Sequence, residues 1–310
     1  MNDIAPDSDD GEPLRVENRG PVSVPVRARS GAGLDHTTAV TLYRGSDRVD
    51  LVNELTANFT DVRHWAFSFA LSEPALHTEE VGAVILNKPQ SAGGDYADRH
   101  ARYDYLTVNH FADFTDGSGR KGVTLSNPDL AFAKLGRSTA SRLDTETPQL
   151  HLLAGGQVDG ASLGIPGQNG NRRFLQRFAL RPHGGYDQTA AMKFALEHQN
   201  PFVTGAVTGN RGGAYPVAVH SLLSVSHADV LLWALKVHED GIHRGLVARV
   251  WNQAKTASAA RFTSASPLQN AERLTHVETL LEPLPVKEGA LETTLGARRL
   301  ETFGFKLRAP

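Results

Sequence analysis

The sequence contains no cysteine, so disulfide bonds, thiolate nucleophiles and thiolate metal sites are excluded. It also lacks any apolar run near the roughly 18 residues that a membrane-spanning helix needs. Its start, MNDIAPDSDDGEP, is acidic where a secretory signal peptide would be basic and then apolar. We therefore expect no membrane partner and no export signal. The localisation stays unknown, with the cytoplasm favoured because no signal peptide is seen.

An excess of charge of one sign is missing as well. The 310 residues carry a formal net charge of −2. We expect no nucleic acid as partner, because affinity for nucleic acid comes largely from Lys and Arg contacts with phosphates. A content of 40% hydrophobic residues can furnish the core of one large domain or of two smaller ones.

The common catalytic and metal-binding motifs are absent too. Thirteen histidines invite a metal hypothesis, but the sequence has no HExxH, no His-X-His and no compact cluster of His and carboxylates. The nearest approach runs from His238 to His243 and falls at a predicted turn, where polar residues are expected anyway. The G-x-S-x-G elbow of serine hydrolases is not found. We expect no cofactor-binding residue and no metal ligand in this chain.

What the chain does have is the period-2 alternation of apolar and polar residues that is typical of strands. The stretch Tyr103–Asn127 alternates on either side of a Gly-Ser-Gly cluster, which predicts a long β-hairpin or corner. Thr38–Tyr43 and Arg48–Asn53 predict a second hairpin, with Val40 and Leu42 facing inward. Further strands are predicted at Val22–Val26 (at an edge, because it contains a proline), His64–Leu71, Val81–Leu86, Leu150–Ala154, Phe174–Leu180, Ser221–Val225, Val230–Val237, Leu246–Trp251, Leu274–Leu284 and Arg298–Leu307.

Four segments of the chain are predicted not to be strands. Residues 1–13 are polar, acidic and proline-containing, and they predict a disordered tail. A helix is predicted after residue 185, because Asp187 is a suitable N-cap and the Asn200-Pro201 pair would end the helix. The glycine-rich stretch Thr204–Tyr215 marks a boundary between β domains at residues 14–203 and 204–310, and Gly155–Gly170 is predicted to be a long loop.

Carboxylates near the bend of the long hairpin are the best candidates for chemistry. Asp113 and Asp116 lie close to the bend, and Asp129 follows shortly after Asn127. Two carboxylates about 5 to 10 Å apart are all that many glycosidases require. However, Asp and Asn also shape turns by accepting hydrogen bonds from nearby backbone N–H groups, and that interpretation is favoured.

A series of short landmarks runs along nearly the whole chain. In this order they resemble the C-terminal β region of glycoside hydrolase family 38, the α-mannosidases, and the resemblance covers about Leu14–Leu307. The pieces that carry it are Arg15–Asn18 with Gly20–Val22, Thr41–Leu51 (TLYRGSDRVDL), Val108–Gly117 (VNHFADFTDG) with Gly122–Asn127 (GVTLSN), Arg177–Gly185 (RFALRPHGG), Gly245–Asn252 (GLVARVWN), Glu278–Glu282 and Leu300–Phe305 (LETFGF).

The resemblance implies an all-β fold. A supersandwich similar to that of galactose mutarotase would occupy residues 14–203 without its first strands, a smaller β-sandwich module would occupy 204–310, and one short helix would lie between them. In the family, the aspartate nucleophile and a zinc ion belong to an upstream barrel, so zinc is expected in that barrel and not in this chain. No catalytic residue carries over. Asp113, Asn127 and Asp129 are retained as candidates for lining the sugar cleft.

Three hypotheses about function remain open. In the first, the chain is the non-catalytic C-terminal β region of an α-mannosidase-like hydrolase. It would buttress the catalytic barrel of the same enzyme and shape the cleft for an α-mannoside, and it could form a homo-oligomer. In the second, it is a free-standing carbohydrate-binding or scaffold module. In the third, it is a mutarotase-like epimerase, which would need a His and a Glu or Asp converging in an open concave face.

Overall fold

The computed structural model describes residues 12–31, 34–159, 163–164, 166–205 and 219–308. The chain divides into two compact units, residues 1–202 and 203–310. Strands dominate both units, and the described residues include one α-helix. The prediction of an all-β fold with one short helix is confirmed. None of the helices in these ranges combines the length and the apolar character needed to cross a membrane.

The first unit contains a nine-stranded sheet, a four-stranded sheet and a two-stranded ribbon. Its elements are β1 (Arg15–Val16), β2 (Ser23–Ser30), β3 (His36–Tyr43), β4 (Val49–Leu55), β5 (Arg63–Ser68), β6 (Ala75–Glu80), β7 (Ala83–Leu86), β8 (Leu106–Thr107), β9 (Phe111–Thr115), β10 (Gly122–Ser126), β11 (Phe132–Leu135), β12 (Gln149–Gly155), β13 (Gln157–Asp159), β14 (Leu163–Gly164), β15 (Phe174–His183) and the helix α1 (Gln188–Gln199). The large sheet has the order β1-β2-β3-β4-β15-β10-β9-β6-β7, the smaller sheet has the order β5-β12-β11-β8, and β13 pairs with β14.

One face of the nine-stranded sheet is apolar and contributes to the core of the first unit. Opposed residues in antiparallel strands point to the same face, and Phe114 lies opposite Val123 on β10 and Leu76 on β6. These side chains pack in one cluster with Trp65 and Leu152 from the smaller sheet. A shift of the strand pairing by one residue would turn each of these side chains to the other face of the sheet. Their burial is worth roughly 1.5–3 kcal/mol per side chain, and it therefore fixes the register of the strand pairs.

The opposite face of the large sheet is polar, and α1 covers part of it. Asp187 caps the helix by accepting a hydrogen bond from the backbone N–H of Ala190 at 3.0 Å. The buried side of the helix, which includes Met192 and Ala195, packs against β9, β10 and β15. The helix ends at the C-cap residue Asn200. The predicted start and end of this helix are confirmed.

The hairpin of β3 and β4 is confirmed, with Val40 opposite Leu51. Leu42 lies opposite Val49 on the same face of the sheet as Val40 and Leu51, as predicted. The core cluster reaches Leu51 but not Leu42, which is therefore 50% exposed. The expected edge position of β2 is wrong, since β1 pairs with its outer side through Val16 and Val26.

The long hairpin predicted at Tyr103–Asn127 is shorter in the structure. Only β9 and β10 pair as a hairpin, whereas Leu106–Thr107 pairs with β11 in the other sheet. The tyrosine at position 103 is buried instead, with its hydroxyl donating to the carbonyl of Ala97 at 2.6 Å. The predicted loop Gly155–Gly170 contains the ribbon of β13 and β14, so that prediction was wrong in part.

The second unit is a pair of sheets around its own core. Its strands are β16 (Leu223–Val225), β17 (Val230–Val237), β18 (Leu246–Asn252), β19 (Ser258–Ser264), β20 (Leu268–Leu274), β21 (Leu280–Leu284), β22 (Val286–Lys287), β23 (Ala290–Leu295) and β24 (Leu300–Leu307). The sheet β16-β19-β23-β22 and the sheet β17-β18-β24-β20-β21 bury Phe262, Leu291 and Phe303 in one cluster.

Some predictions for the second unit fail locally. Leu274–Leu284 is two strands, because a turn between β20 and β21 holds Glu278 at a left-handed φ of 65°. Strands β19 and β23 were not predicted. Most of the glycine-rich stretch Thr204–Tyr215 lies outside the described residues, as does most of the predicted tail. Glu12, near the end of that tail, donates its backbone N–H to the carbonyl of Arg29 at 2.8 Å.

Candidate functional site

The polar face of the nine-stranded sheet holds the residues that the sequence singles out. The register places Asp113 on β9 opposite Thr124 on β10 and opposite His77 on β6. Thr124 in turn lies opposite Arg181 on β15. A row of polar side chains therefore crosses four strands on the face that α1 partly covers.

Asp113 is the most fully engaged carboxylate in this row. Its side chain is 1% exposed. Oδ1 accepts a hydrogen bond from the hydroxyl of Thr115 at 3.0 Å, and Oδ2 accepts one from the hydroxyl of Thr124 at 2.6 Å. Oδ2 also lies 2.8 Å from Nε2 of His183. A buried carboxylate is tolerated only when such partners replace water, and Asp113 has three of them.

His183 is held between two acceptors. Its Nε2 faces the Asp113 carboxylate, and its Nδ1 lies 3.0 Å from the carbonyl oxygen of Gly184. Each ring nitrogen needs a proton to donate, so this environment favours the imidazolium form. The hydrogen bond to Asp113 raises the pKa of His183 above its usual value of 6.5, although burial opposes the rise. When the imidazole is protonated, the two side chains form an ion pair in which the carboxylate is 1% exposed and the imidazole is 11% exposed.

A glycine on the neighbouring strand makes room for this ion pair. A Cβ atom at Gly122 would lie 2.4 Å from Cε1 of His183. Atoms do not approach so closely, so the imidazole can occupy its position beside Asp113 only because residue 122 has no side chain.

Asn127, the second predicted residue, closes the end of β10. Its Oδ1 accepts a hydrogen bond from the backbone N–H of Leu130 at 2.8 Å, which is a turn-shaping role. Its backbone carbonyl accepts a hydrogen bond from Nε2 of Gln199 at 3.0 Å, and the same amide nitrogen lies near the carbonyls of Asn109 and His110. Within the described ranges, the buried Nδ2 of Asn127 has no hydrogen-bond acceptor.

Asp129, the third predicted residue, is paired with Arg177 on β15. Two guanidinium nitrogens donate to its carboxylate at 2.6 and 3.1 Å, and the backbone N–H of Arg177 donates to Oδ2 at 2.6 Å. The charges of this pair and of Arg48 influence His198 on α1, whose Nδ1 lies 3.1 Å from the hydroxyl oxygen of Ser126. Burial, with a contribution from Arg48, lowers the pKa of His198 to about 4.

The three predicted residues thus occupy two environments. Asp113 lies in the middle of β9 beside His183, whereas Asn127 and Asp129 lie in the turn after β10. Hydrogen bonds engage all three, which gives each a role in the fold. Their part in lining a sugar cleft stays a prediction. Sequence reasoning missed His183 as the partner of Asp113. Its only signal was the Arg-Pro-His segment that contributes to the family resemblance.

The remaining histidine candidate belongs to the second unit. Nδ1 of His238 accepts a hydrogen bond from the backbone N–H of Asp240 at 3.1 Å and lies 3.9 Å from Glu278. His243 lies in a short 3-10 turn, Ile242–Arg244. In the part of the chain that the structure describes, no three His, Asp or Glu side chains are grouped so that they could hold a metal ion.

Comparison with known proteins gives a match in structure only. No protein-family model matches the chain, and no curated protein matches it. An alpha-mannosidase from Enterococcus faecalis V583 superposes with a TM-score of 0.69 at 17% sequence identity, over 96% of this chain and 35% of that chain. The chain has the fold of part of an alpha-mannosidase.

A second structural match supports the same fold. It is a protein in glycosyl hydrolase family 38 from Enterococcus faecalis, with a TM-score of 0.67 at 17% identity, over 95% of this chain and 36% of that chain. The chain therefore spans about a third of the length of these proteins. The resemblance to family 38 is confirmed at the level of the fold. A likeness to a galactose mutarotase-like protein from Lactobacillus casei ATCC 334 has a TM-score of 0.29, which is too low to carry an argument.

Proposed function

We propose that the chain is the non-catalytic β region of an α-mannosidase-like glycoside hydrolase. Its role is to buttress a catalytic barrel and to shape the sugar cleft in which α-mannosides are hydrolysed. The observation that carries the proposal is the unequal coverage of the structural matches. Nearly all of this chain superposes on about a third of an alpha-mannosidase, so the other two thirds of such a protein have no counterpart in it.

The carboxylates on the polar face are engaged by other side chains, which agrees with a non-catalytic role for this region. Asp113 is buried in an ion pair with His183, and Asp129 is held by Arg177. A glycosidase needs one carboxylate free to attack or to activate water and another free to protonate the leaving group. Asp113 and Asp129 are already committed to other side chains.

Zinc belongs to the barrel in this proposal. The described residues offer no group of three suitable side chains, so they do not fit a zinc site, and we derive no step through the metal. The aspartate nucleophile of the reaction is likewise placed in the barrel.

The outer edge of the large sheet offers a surface for a partner. Four aliphatic side chains on and beside β1 to β3 are exposed by 46% to 67%: Leu14, Val16, Val22 and Leu42. Water-exposed aliphatic groups concentrated at one edge are typical of interaction surfaces. The proposal assigns this edge to the barrel.

The epimerase hypothesis gains no specific observation. A mutarotase-like epimerase needs a His and a carboxylate in an open face. The His183–Asp113 and His110–Glu79 pairs do bring these groups together, but the four side chains are at most 19% exposed. A free-standing module would bind sugar without requiring any partner.

The test is hydrolysis of an aryl α-mannoside by the purified chain, with and without zinc. The same chain is also assayed after mixing with an α-mannosidase-type barrel polypeptide from the same organism. The expected result is no turnover by the chain alone and turnover on mixing, together with a heavier species in sedimentation velocity. Leu42→Glu should abolish the activation, whereas the matched control Val277→Glu, at an exposed site in the second unit, should not.

Two results would contradict the proposal. Zinc-dependent turnover by the chain alone would mean that it contains an active site. Full activity of the barrel polypeptide without the chain would mean that the enzyme does not need this region. Epimerisation of a free sugar would support the third hypothesis instead.

A further inference from the structure

An open groove lies on the first unit, between the turn of the β3–β4 hairpin and the C-terminal end of α1. Its volume is about 480 Å³, within the range of roughly 300–1,000 Å³ typical of small-molecule sites. It is lined by Tyr43, Ser46, Arg48, Glu197, Pro201 and Phe202. None of the three candidate residues discussed above is among them.

The polar groups of the groove are fixed in position. Arg48 donates two hydrogen bonds to the carboxylate of Asp50, through Nε and at 2.8 Å through a terminal nitrogen. The hydroxyl of Tyr43 donates to the same carboxylate at 2.9 Å. Asp50 therefore holds the guanidinium and the phenol ring together, so a ligand would meet preorganised groups and less conformational entropy would be lost on binding.

Donors and acceptors remain available for a ligand. The exposed carboxylate of Glu197 makes no hydrogen bond to any described residue, and the second terminal nitrogen of Arg48 makes none either. A carboxylate accepts hydrogen bonds and a guanidinium donates them. A ligand carrying neighbouring hydroxyl groups could satisfy both.

Two aromatic rings provide the apolar part. The Phe202 side chain is 95% exposed, and Tyr43 is 38% exposed. An aromatic face left in water is stabilised when an apolar surface covers it. The C–H face of a pyranose ring is such a surface, and its rim carries the hydroxyl groups that Arg48 and Glu197 would bind.

The charge of the groove selects against anions. Arg48 contributes one positive charge, while Asp50 and Glu197 contribute two negative charges. A phosphate or an acidic sugar would meet a net negative site. We propose that this groove is a carbohydrate subsite that binds a neutral pyranose unit of an oligosaccharide between Phe202, Tyr43, Arg48 and Glu197. The choice of mannose as that unit rests on the proposed function.

The test is saturation-transfer NMR on the full chain with an α-linked mannobiose, with maltose and trilysine as further probes. Phe202→Ala and Glu197→Gln should each weaken mannobiose binding about tenfold. Both side chains are exposed, so neither substitution should disturb the fold. The matched controls Phe132→Ala and Glu146→Gln change exposed residues of the first unit outside the groove and should bind mannobiose as the wild type does.

Each outcome either supports or overturns the carbohydrate subsite. Loss of mannobiose binding in both groove variants, with normal binding by both controls, establishes the subsite. Equal binding by all variants, or saturation of the groove by trilysine instead of sugar, overturns it. Maltose binding that depends on Phe202 would keep the subsite and reject mannose. The mixing assay is independent: mannobiose binding in the groove without turnover on mixing would uphold the subsite while refuting the proposed function.

Discussion

Removal of the Asp113 carboxylate is the most direct test of the buried ion pair. The side chain is 1% exposed and accepts hydrogen bonds from Thr115, Thr124 and His183. In Asp113→Ala, a charged imidazole and two hydroxyl groups would lose their buried partner. Breaking a buried pair in this way costs about 3–5 kcal/mol. With a urea dependence near 2 kcal/mol/M, the unfolding midpoint should fall by about 2 M.

The variant Asp113→Asn separates the charge from the hydrogen bonds. Because the pKa of His183 is raised in the folded state above 6.5, its ion pair contributes stability that is fully present below pH 6.5 and is lost as the pH rises through the folded pKa. The asparagine keeps one acceptor oxygen, so it can still accept a hydrogen bond from one of the two threonine hydroxyls, but it has no charge. The difference in unfolding free energy between the wild type and Asp113→Asn should therefore shrink as the pH rises.

Urea unfolding followed by circular dichroism at several pH values measures both quantities. Asp35→Ala is the control, because Asp35 pairs with Arg29 on the surface, and its midpoint should stay unchanged. An unchanged midpoint for Asp113→Ala would refute the structural role of this carboxylate. So would a difference between wild type and Asp113→Asn that does not vary with pH.

Three further predictions concern the same polar face. Gly122→Ala would place a Cβ 2.4 Å from the ring of His183, so we expect a lower urea midpoint, whereas an unchanged midpoint would contradict the close contact. The pKa of His198 is lowered to about 4, so between pH 6.5 and 4 the folded state binds fewer protons than the unfolded state, and the free energy of unfolding should fall as the pH drops through this range. In His198→Gln this loss of stability at acid pH should be smaller. An equally steep loss in the variant would mean that other groups cause it. Asp187→Ala removes the N-cap hydrogen bond to Ala190 and should cost about 1 kcal/mol, measured by thermal unfolding, with the exposed Glu146→Ala expected to show no change.

The sequence predicted the elements whose bounds are set by residues close to them in the chain. The helix followed from its N-cap Asp187 and from the Asn200-Pro201 pair, and both signals lie within a few residues of the ends they mark. The β3–β4 hairpin followed from alternation on both sides of a short turn. Alternation failed at Tyr103–Asn109, because a period of two does not say which sheet a strand joins. There, pairing with β11 decided the outcome.

In the candidate site, too, the sequence predicted what depends on nearby residues and missed what depends on the order of strands in the sheet. Asp113 could be singled out because it stands near a predicted bend, but its partner His183 lies 70 residues further along the chain. The two meet because β10 pairs with both β9 and β15, and nothing in the sequence near Asp113 reports that order of strands. The vacant position at Gly122, which makes room for the imidazole, is equally invisible without the strand register.

The side-chain amide of Gln199 has a mechanical consequence. From the last residue of α1 it reaches the carbonyls of Asn109 and His110, which precede β9, and the carbonyl of Asn127, which follows β10. A force that pulls on the chain after α1 would be passed by the hydrogen bonds of Gln199 to these strand ends. It would act on them before it could unwind the helix from its C-terminal end. The load would be shared between two neighbouring strands, whose interstrand hydrogen bonds would have to yield as a group. Tension from whatever follows the helix is thus transmitted into the sheet and not into the helix alone.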